Sequence, residues 1–301
     1  MSDYTAFDER ARKLLDVHAH LLGSKGDRPT EGSLRVAQGG AVGVPLSTAH
    51  IRPFVEYRTG AGILKAHRGG AKDDQIGGGI RGEVKGFSNA SRLRLMRAIA
   101  SIRRDAILPL FFTLTYPSSF PDAISSKRHL KMFSQRVVRA FPGIGFFWKL
   151  EPQKRGAPHY HGLAWGVDLE PFMDFVPGAW FEIAGGGDEK HLRWHKGEFE
   201  NQHCVQQVYS LNGVLRYASK YLGKTFEVEG WQKVGRYWGI VNRANIPFGE
   251  LVVEEVTRSK ALEVMRYQRR FAHLPGTSKK SSTILCDADQ WVENLIGKEV
   301  I

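Results

Sequence analysis

The sequence predicts an α+β fold, an antiparallel sheet with helices packed on it. Three observations carry that expectation. Aromatic and β-branched runs at 108–117, 143–153 and 158–166 read as strands. Helical patterns at 88–107, 125–141 and 210–224 alternate with them. The order strand, helix, strand, strand, helix places only the turn QKRGA (153–157) between its second and third strands, which makes that pair an antiparallel hairpin.

Each element has a local reason. Residues 4–22 read as a short helix, and 23–89 are rich in glycine, with GG at 39–40 and 69–70 and GGG at 77–79, which predicts an irregular region. The helix at 88–107 has Ser88 or Ser91 as N-cap and Leu93, Met96, Ile99 and Ile102 at helical spacing. The first strand alternates Phe112, Leu114 and Tyr116 against Phe111, Thr113 and Thr115 and stops at Pro117. A basic amphipathic helix follows at 125–141, and then the hairpin. Residues 167–203 are acidic and glycine-rich and read as an insertion or long loop. The helix at 210–224 puts Leu211, Val214, Tyr217 and Tyr221 on one face. A further strand is expected at 235–241 and a basic helix at 258–272. The expected division is a glycine-rich N-terminal region (1–87), a central domain (88–245) and a C-terminal basic helical tail (246–301).

Composition narrows the function. The chain has 301 residues, a formal net charge of +12, 42% hydrophobic residues, 17 Phe, 9 Tyr and 7 Trp. That excludes a disordered or collagen-like chain. No apolar run approaches the roughly 18–20 residues of a membrane span, and MSDYTAFDERARKLL lacks a secretory h-region. Cys204 and Cys286 are the only cysteines and form no CxxC, which points to a reducing intracellular compartment. The charge is localised: residues 91–155 carry 13 Lys and Arg against 3 acids, whereas 161–200 carry 3 against 8. A basic block followed by an acidic one points to an anionic partner, nucleic acid above all. The candidate strand contacts are Arg92, Arg94, Arg97, Arg103, Arg104, Lys127, Arg128, Lys131, Arg136, Arg139, Lys154 and Arg155.

The chemistry-bearing residues cluster on the hairpin. His159 and His161 are two apart on a strand and project from one face, and Glu151 lies on the partner strand within reach. Two imidazoles and a carboxylate can hold a divalent ion such as Mg²⁺ or Mn²⁺ and leave positions open. Tyr217 and Tyr221 are stacked at i, i+4, each with a lysine three residues on, Lys220 and Lys224. A positioned tyrosine can serve as a nucleophile when its target is polarised.

Three segments, FFTLTYP (111–117), KLEPQKRGAPHYHGLAW (149–165) and RYASKYLGK (216–224), resemble the ordered motifs of HUH endonucleases. They are most similar to those of rolling-circle replication initiators (Rep proteins) of plasmids and single-stranded DNA phages. The second motif matches with Tyr160 between the histidines, and the two-tyrosine third motif, Tyr-x-x-Lys-Tyr-x-x-Lys, matches in full. The resemblance covers roughly residues 105–245. It implies a ferredoxin- or RRM-like core and a nicking-and-joining enzyme acting on single-stranded DNA at a replication origin. Glu151, His159 and His161 would hold the divalent metal. One tyrosine would form a 5′-phosphotyrosyl link and free a 3′-OH primer, the other would close the round, and Lys220 and Lys224 would stabilise charge. It further implies a prokaryotic cytoplasm and host helicase and polymerase as partners. A single-strand transposase or mobilisation relaxase of the same chemistry is the nearest alternative. A non-catalytic nucleic-acid-binding module is the more distant one, since binding alone requires neither the tyrosines nor the histidine pair.

Three decoys are set aside. Asp16, His18 and His20 imitate a metal motif of barrel hydrolases, but no βα repeat follows. Gly223-Lys224-Thr225 resembles the end of a P-loop, but Ala218 stands where that loop needs glycine. His191, His195 and His203 fit no zinc spacing and are expected at the surface.

Overall fold

The computed structural model describes residues 50–71, 84, 86–199, 203–209, 226–227, 231, 234–272 and 280–284. The predicted helices at 4–22 and 210–224 lie outside the described residues, as do His18 and His20.

The elements in chain order are β1 (His50–Ile51), β2 (Phe54–Arg58), β3 (Ile63–His67), β4 (Gly70–Ala71), β5 (Gly86–Phe87), α1 (Asn89–Ala100), β6 (Leu110–Leu114) and α2 (Ala123–Ala140). The hairpin β7 (Gly145–Pro152) and β8 (Pro158–Trp165) comes next, then α3 (Leu169–Trp180), α4 (Glu189–His195) and β9 (Val205–Gln207). The rest are β10 (Phe226–Glu227), β11 (Trp238–Val241), β12 (Leu251–Glu255), α5 (Arg258–Ala272) and β13 (Lys280–Ile284). The α+β class predicted from the sequence is what the chain adopts.

The central sheet has five antiparallel strands in the order β11–β7–β8–β6–β9. β6 and β7 both pair with β8, one on each side, and α2 connects them. A strand inserted between the two strands of a crossover is the split βαβ arrangement of ferredoxin-like folds. The hairpin turn forms as its sequence dictates. Gly156, at φ +82°, takes the left-handed position, and the Gln153 and Ala157 backbones close the loop at 2.9 Å.

Alternation gives the sheet two faces. Leu110, Phe112, Leu114, Phe146, Leu150 and Tyr160 share one, and α2 and α3 cover it with Phe133, Phe172 and Trp180. Ser126 of α2 is hydrogen-bonded to the buried Tyr160 hydroxyl at 2.8 Å. Gly162 belongs to this face, where a Cβ would lie 2.1 Å from the Phe112 ring. The other face carries Phe111, Thr113, Phe147, Lys149, Glu151, His159, His161 and Leu163, in direct register across the three strands.

Four differences from the sequence reading have physical causes. α1 ends at Ala100 instead of near 107 because the next backbone groups are taken by tertiary bonds. Arg103 N–H donates to Pro247 O (2.9 Å) and Arg104 N–H to Gly60 O (2.8 Å). Its buried face runs through Arg92, Leu95, Met96 and Ile99, and Leu93 is only half-buried. The acidic stretch expected as an insertion or long loop holds α3, a π-helical turn at Phe181–Gly185 and α4, and in α3 Phe172, Val176 and Trp180 make an i, i+4, i+8 apolar stripe under the acidic surface. The glycine-rich region contains the β2–β3 hairpin, part of a second antiparallel sheet in the order β12–β2–β3–β13. α5 packs on that sheet, with Val264 and Met265 buried against Val55, Leu64 and Ala66 and Gln268 donating to Leu64 O at 3.2 Å.

Candidate metal centre

The site rises from the hairpin register. Glu151 lies opposite His159 and Lys149 opposite His161, so four polar side chains meet on one face. Glu151 Oε1 lies 2.8 Å from His161 Nε2, and Glu151 Oε2 accepts from Lys149 Nζ at 3.0 Å. The His159 and His161 rings are perpendicular, with centroids 4.3 Å apart. Donor atoms of Glu151, His159 and His161 all lie within 4.8 Å of one another, the grouping a metal ion requires. One carboxylate and two imidazoles is a donor set suited to a divalent ion of borderline hardness. The metal ligands read from the sequence are therefore brought together.

A supporting shell orients them. Thr113 of β6, in register with His161, places its Oγ1 3.3 Å from His161 Nδ1, and the Phe111 ring stacks on the same imidazole at 5.6 Å. Gln153 Nε2 lies 3.4 Å from His159 Nδ1. Such partners fix the orientation and tautomer of a ligating imidazole.

Electrostatics set the charge of Glu151 and of His159. Burial would raise the Glu151 pKa, but the hydrogen bond and charge of His161, with help from Lys149, outweigh it and bring it to about 2. Burial is the main cause that pushes His159 down to about 3, aided by His161 and opposed by Glu151. Near neutral pH the carboxylate is ionised and the His159 imidazole neutral, as metal ligation requires.

A second polar cluster adjoins the first. Thr115 continues the face of Phe111 and Thr113 one step along the chain, and it meets two buried histidines of α4. His195 Nε2 accepts the Thr115 backbone N–H at 3.3 Å, and Thr115 Oγ1 lies 3.2 Å from His195 Nε2 and 3.3 Å from His191 Nε2. The expectation of surface histidines is corrected here: His191 is 8% and His195 1% exposed. The pair at i, i+4 turns inward because Asp188 caps the short helix at His191 N–H (3.1 Å) and aims that face at β6.

The basic residues divide between two layers. α1 stands on the side of the triad, since Trp238, opposite Lys149 on β11, donates to Ser91 Oγ at 3.1 Å. Arg94 and Arg97 are exposed there, whereas Arg92 is buried with its Nε on Asn89 Oδ1 (3.0 Å). Arg103 is paired with Asp105, and Arg104 is half-buried. Lys127, Arg128, Lys131, Arg136 and Arg139 belong to α2, across the sheet from the triad. Lys127 sits 3.8 Å over the Trp148 ring, Arg136 is paired with Glu182, and Arg128, Lys131 and Arg139 are exposed. Lys154 and Arg155 occupy the hairpin turn beside the triad. Lys154 is exposed, and the Arg155 guanidinium donates to Tyr116 O and, at 2.6 Å, to Pro117 O.

Tyr217, Lys220, Tyr221 and Lys224 lie outside the described residues. Sequence reasoning missed Lys149, Thr113, Thr115 and Gln153, although the alternation that paired His159 with His161 also puts Lys149 on the face of Glu151.

A family model for replication-associated proteins of the ORF2 type matches residues 109–226, less than half of the chain. A curated protein of Xylella fastidiosa (strain 9a5c), named "Putative replication protein", is 28% identical over 174 residues, 53% of this chain and 57% of the relative. The chain therefore spans little more than half the length of that relative. No solved structure matches, and no helix among the described residues is long and apolar enough to cross a membrane. The similarity is to proteins of DNA replication, and the matched residues take in β6, the Glu151–His159–His161 triad and the tyrosine–lysine segment.

Proposed function

We propose that this protein initiates rolling-circle replication by nicking single-stranded DNA at an origin. The observation that carries the proposal is the triad: a carboxylate and two imidazoles within 4.8 Å on one face of the hairpin. Tyr217 and Tyr221 are the proposed nucleophiles, on the match of the Tyr-x-x-Lys-Tyr-x-x-Lys segment to the two-tyrosine motif.

In the proposed reaction a tyrosine Oη attacks phosphorus. The Oη–P bond forms and the P–O3′ bond breaks. The phenolic proton leaves and the 3′ oxygen is released as a hydroxyl, which primes synthesis. The 5′ end stays on the tyrosine until the end of the round, when the second tyrosine cuts the strand again and the 3′-hydroxyl so freed attacks the first phosphotyrosine, forming the P–O3′ bond and releasing that phenol. A bound Mg²⁺ or Mn²⁺ would supply Lewis-acid withdrawal of charge from the scissile phosphate. Glu151, His159 and His161 would hold that ion, with Thr113 and Gln153 orienting the imidazoles. Lys220 and Lys224 stabilise charge that develops on phosphate oxygens. Host helicase and polymerase would extend the freed end. The replication proteins the chain resembles favour initiation over transposition or mobilisation.

The test uses single-stranded oligonucleotides tiled across the DNA that flanks the coding sequence, with Mn²⁺ or Mg²⁺ present. One tile should be cut and leave a 3′ end that a polymerase extends. Cutting should vanish with a chelator and in Tyr217→Phe/Tyr221→Phe. Cutting by the double variant at wild-type rate would overturn the nucleophile assignment.

A further inference from the structure

Lys149 has no solvent exposure. Its ammonium lies 4.8 Å from the Phe87 ring centroid and 5.5 Å from that of Phe226, and it donates to Glu151 Oε2 at 3.0 Å. The two oxygens of the carboxylate thus have different neighbours, Oε1 the His161 imidazole and Oε2 the ammonium. A buried ion pair is weak as a stabilising device, because an apolar pair of similar volume is often as good. Beside a metal triad its effect is electrostatic. A positive charge next to Glu151, the one carboxylate of the triad, offsets that ligand's charge, and in a site shielded from water the effect counts for more than in solvent.

We propose that Lys149 is a positioning residue that makes divalent-metal binding depend on the nucleic-acid strand. It holds Oε2, leaves Oε1 facing the histidines, and offsets negative charge at Glu151. The ion is then held weakly by the protein alone. A phosphate of the strand supplies the missing negative charge, so metal and strand each strengthen the binding of the other, a reciprocity that thermodynamic linkage requires. This rests on the metal reading above and adds to it the reason the site loads only with its substrate.

The experiment titrates Mn²⁺ into the full chain and follows the free-ion electron paramagnetic resonance signal, with and without excess oligothymidylate. Wild type should bind weakly alone and about tenfold more tightly with the strand, within the usual range of linked sites. Lys149→Met, close in length and uncharged, should bind Mn²⁺ more tightly without the strand and gain little from it. Lys149→Gln gives the same reading if the Met variant does not fold. A merely structural lysine would lower the melting temperature and leave the affinity of the folded protein unchanged. Unchanged or weaker strand-free affinity in the lysine variants, with Glu151→Ala abolishing binding, would overturn the role of Lys149 alone. No binding by wild type, or binding indifferent to Glu151→Ala, would overturn the metal reading and this proposal together.

Discussion

At Gly162 a single hydrogen atom lets the sheet and its helices meet. The residue sits between His161 and Leu163 on the helix-covered face, where the Phe112 ring fills the space a Cβ would need. Phe112 in turn packs against Phe133, Phe146 and Phe172, so the ring has no room to retreat. Gly162→Ala should therefore cost about 1–3 kcal/mol, as overpacked cores do, seen as a lower denaturant midpoint; Phe112→Leu should recover part of it in the double variant. His195 gives the pH dependence of stability. Burial is the main cause that lowers its pKa to about 4, with His191 and His203 adding to the effect and its hydrogen bond to the His191 backbone opposing it. An unfolded histidine titrates near 6.5, so between these values the unfolded chain binds the extra proton. Stability from this group is complete above pH 6.5 and is lost as the pH falls toward 4. His195→Gln should flatten the acid limb of a melting-temperature profile, and an unchanged limb would contradict the assignment. The grouping of Glu151, His159 and His161 was legible because strand alternation is a local rule. His191 and His195 were not, because their acidic neighbours suggested solvent and only the packing of α4 on β6 turns them inward.

The hairpin of β7 and β8 is the element that builds the site, and its sequence encodes it. Gly156 supplies the left-handed turn residue, and the turn fixes the register that sets Glu151 against His159. α2 was legible from its amphipathic pattern, and the structure adds its cap, Asp122, which accepts from the Ile124 and Ser125 N–H groups at 2.8 and 2.9 Å. The second sheet was not legible. β2 pairs with β12, and β3 with β13, across about two hundred residues of chain, and no local pattern announces a partner that far away. That sheet has its own small core of Val55, Leu64, Ala66, Val264 and Met265, separate from the main one. Met265→Ala should destabilise this unit by about 2–5 kcal/mol. Hydrogen exchange should then show the Leu64 and Ala66 amides losing protection while those of β7 and β8 keep theirs. Equal loss in both sheets would mean that they unfold as one.

Across the molecule the positive charge is split by the central sheet. The sequence showed a basic block running into the metal motif, but it could not show that α1 and α2 stand on opposite sides of that sheet. Arg94 and Arg97 share the triad's side; Arg128, Lys131 and Arg139 do not. Each phosphate contact on a single strand contributes about 0.7 to the slope of log affinity against log salt. Replacing Arg94 and Arg97 with Gln should lower that slope in a fluorescence-anisotropy titration more than replacing Arg128 and Lys131 does. The reverse ranking would place the strand on the helix-covered side. The central claim is a tyrosine attacking phosphorus beside a metal held by Glu151, His159 and His161. Its most direct measurement is covalent capture: full chain, Mn²⁺ and the cleaved origin strand, followed by denaturing electrophoresis and mass spectrometry of the linked peptide. An SDS-resistant adduct should map to Tyr217 or Tyr221 and be absent from His161→Ala. Cleavage without an adduct, or an adduct on any other residue, would contradict it.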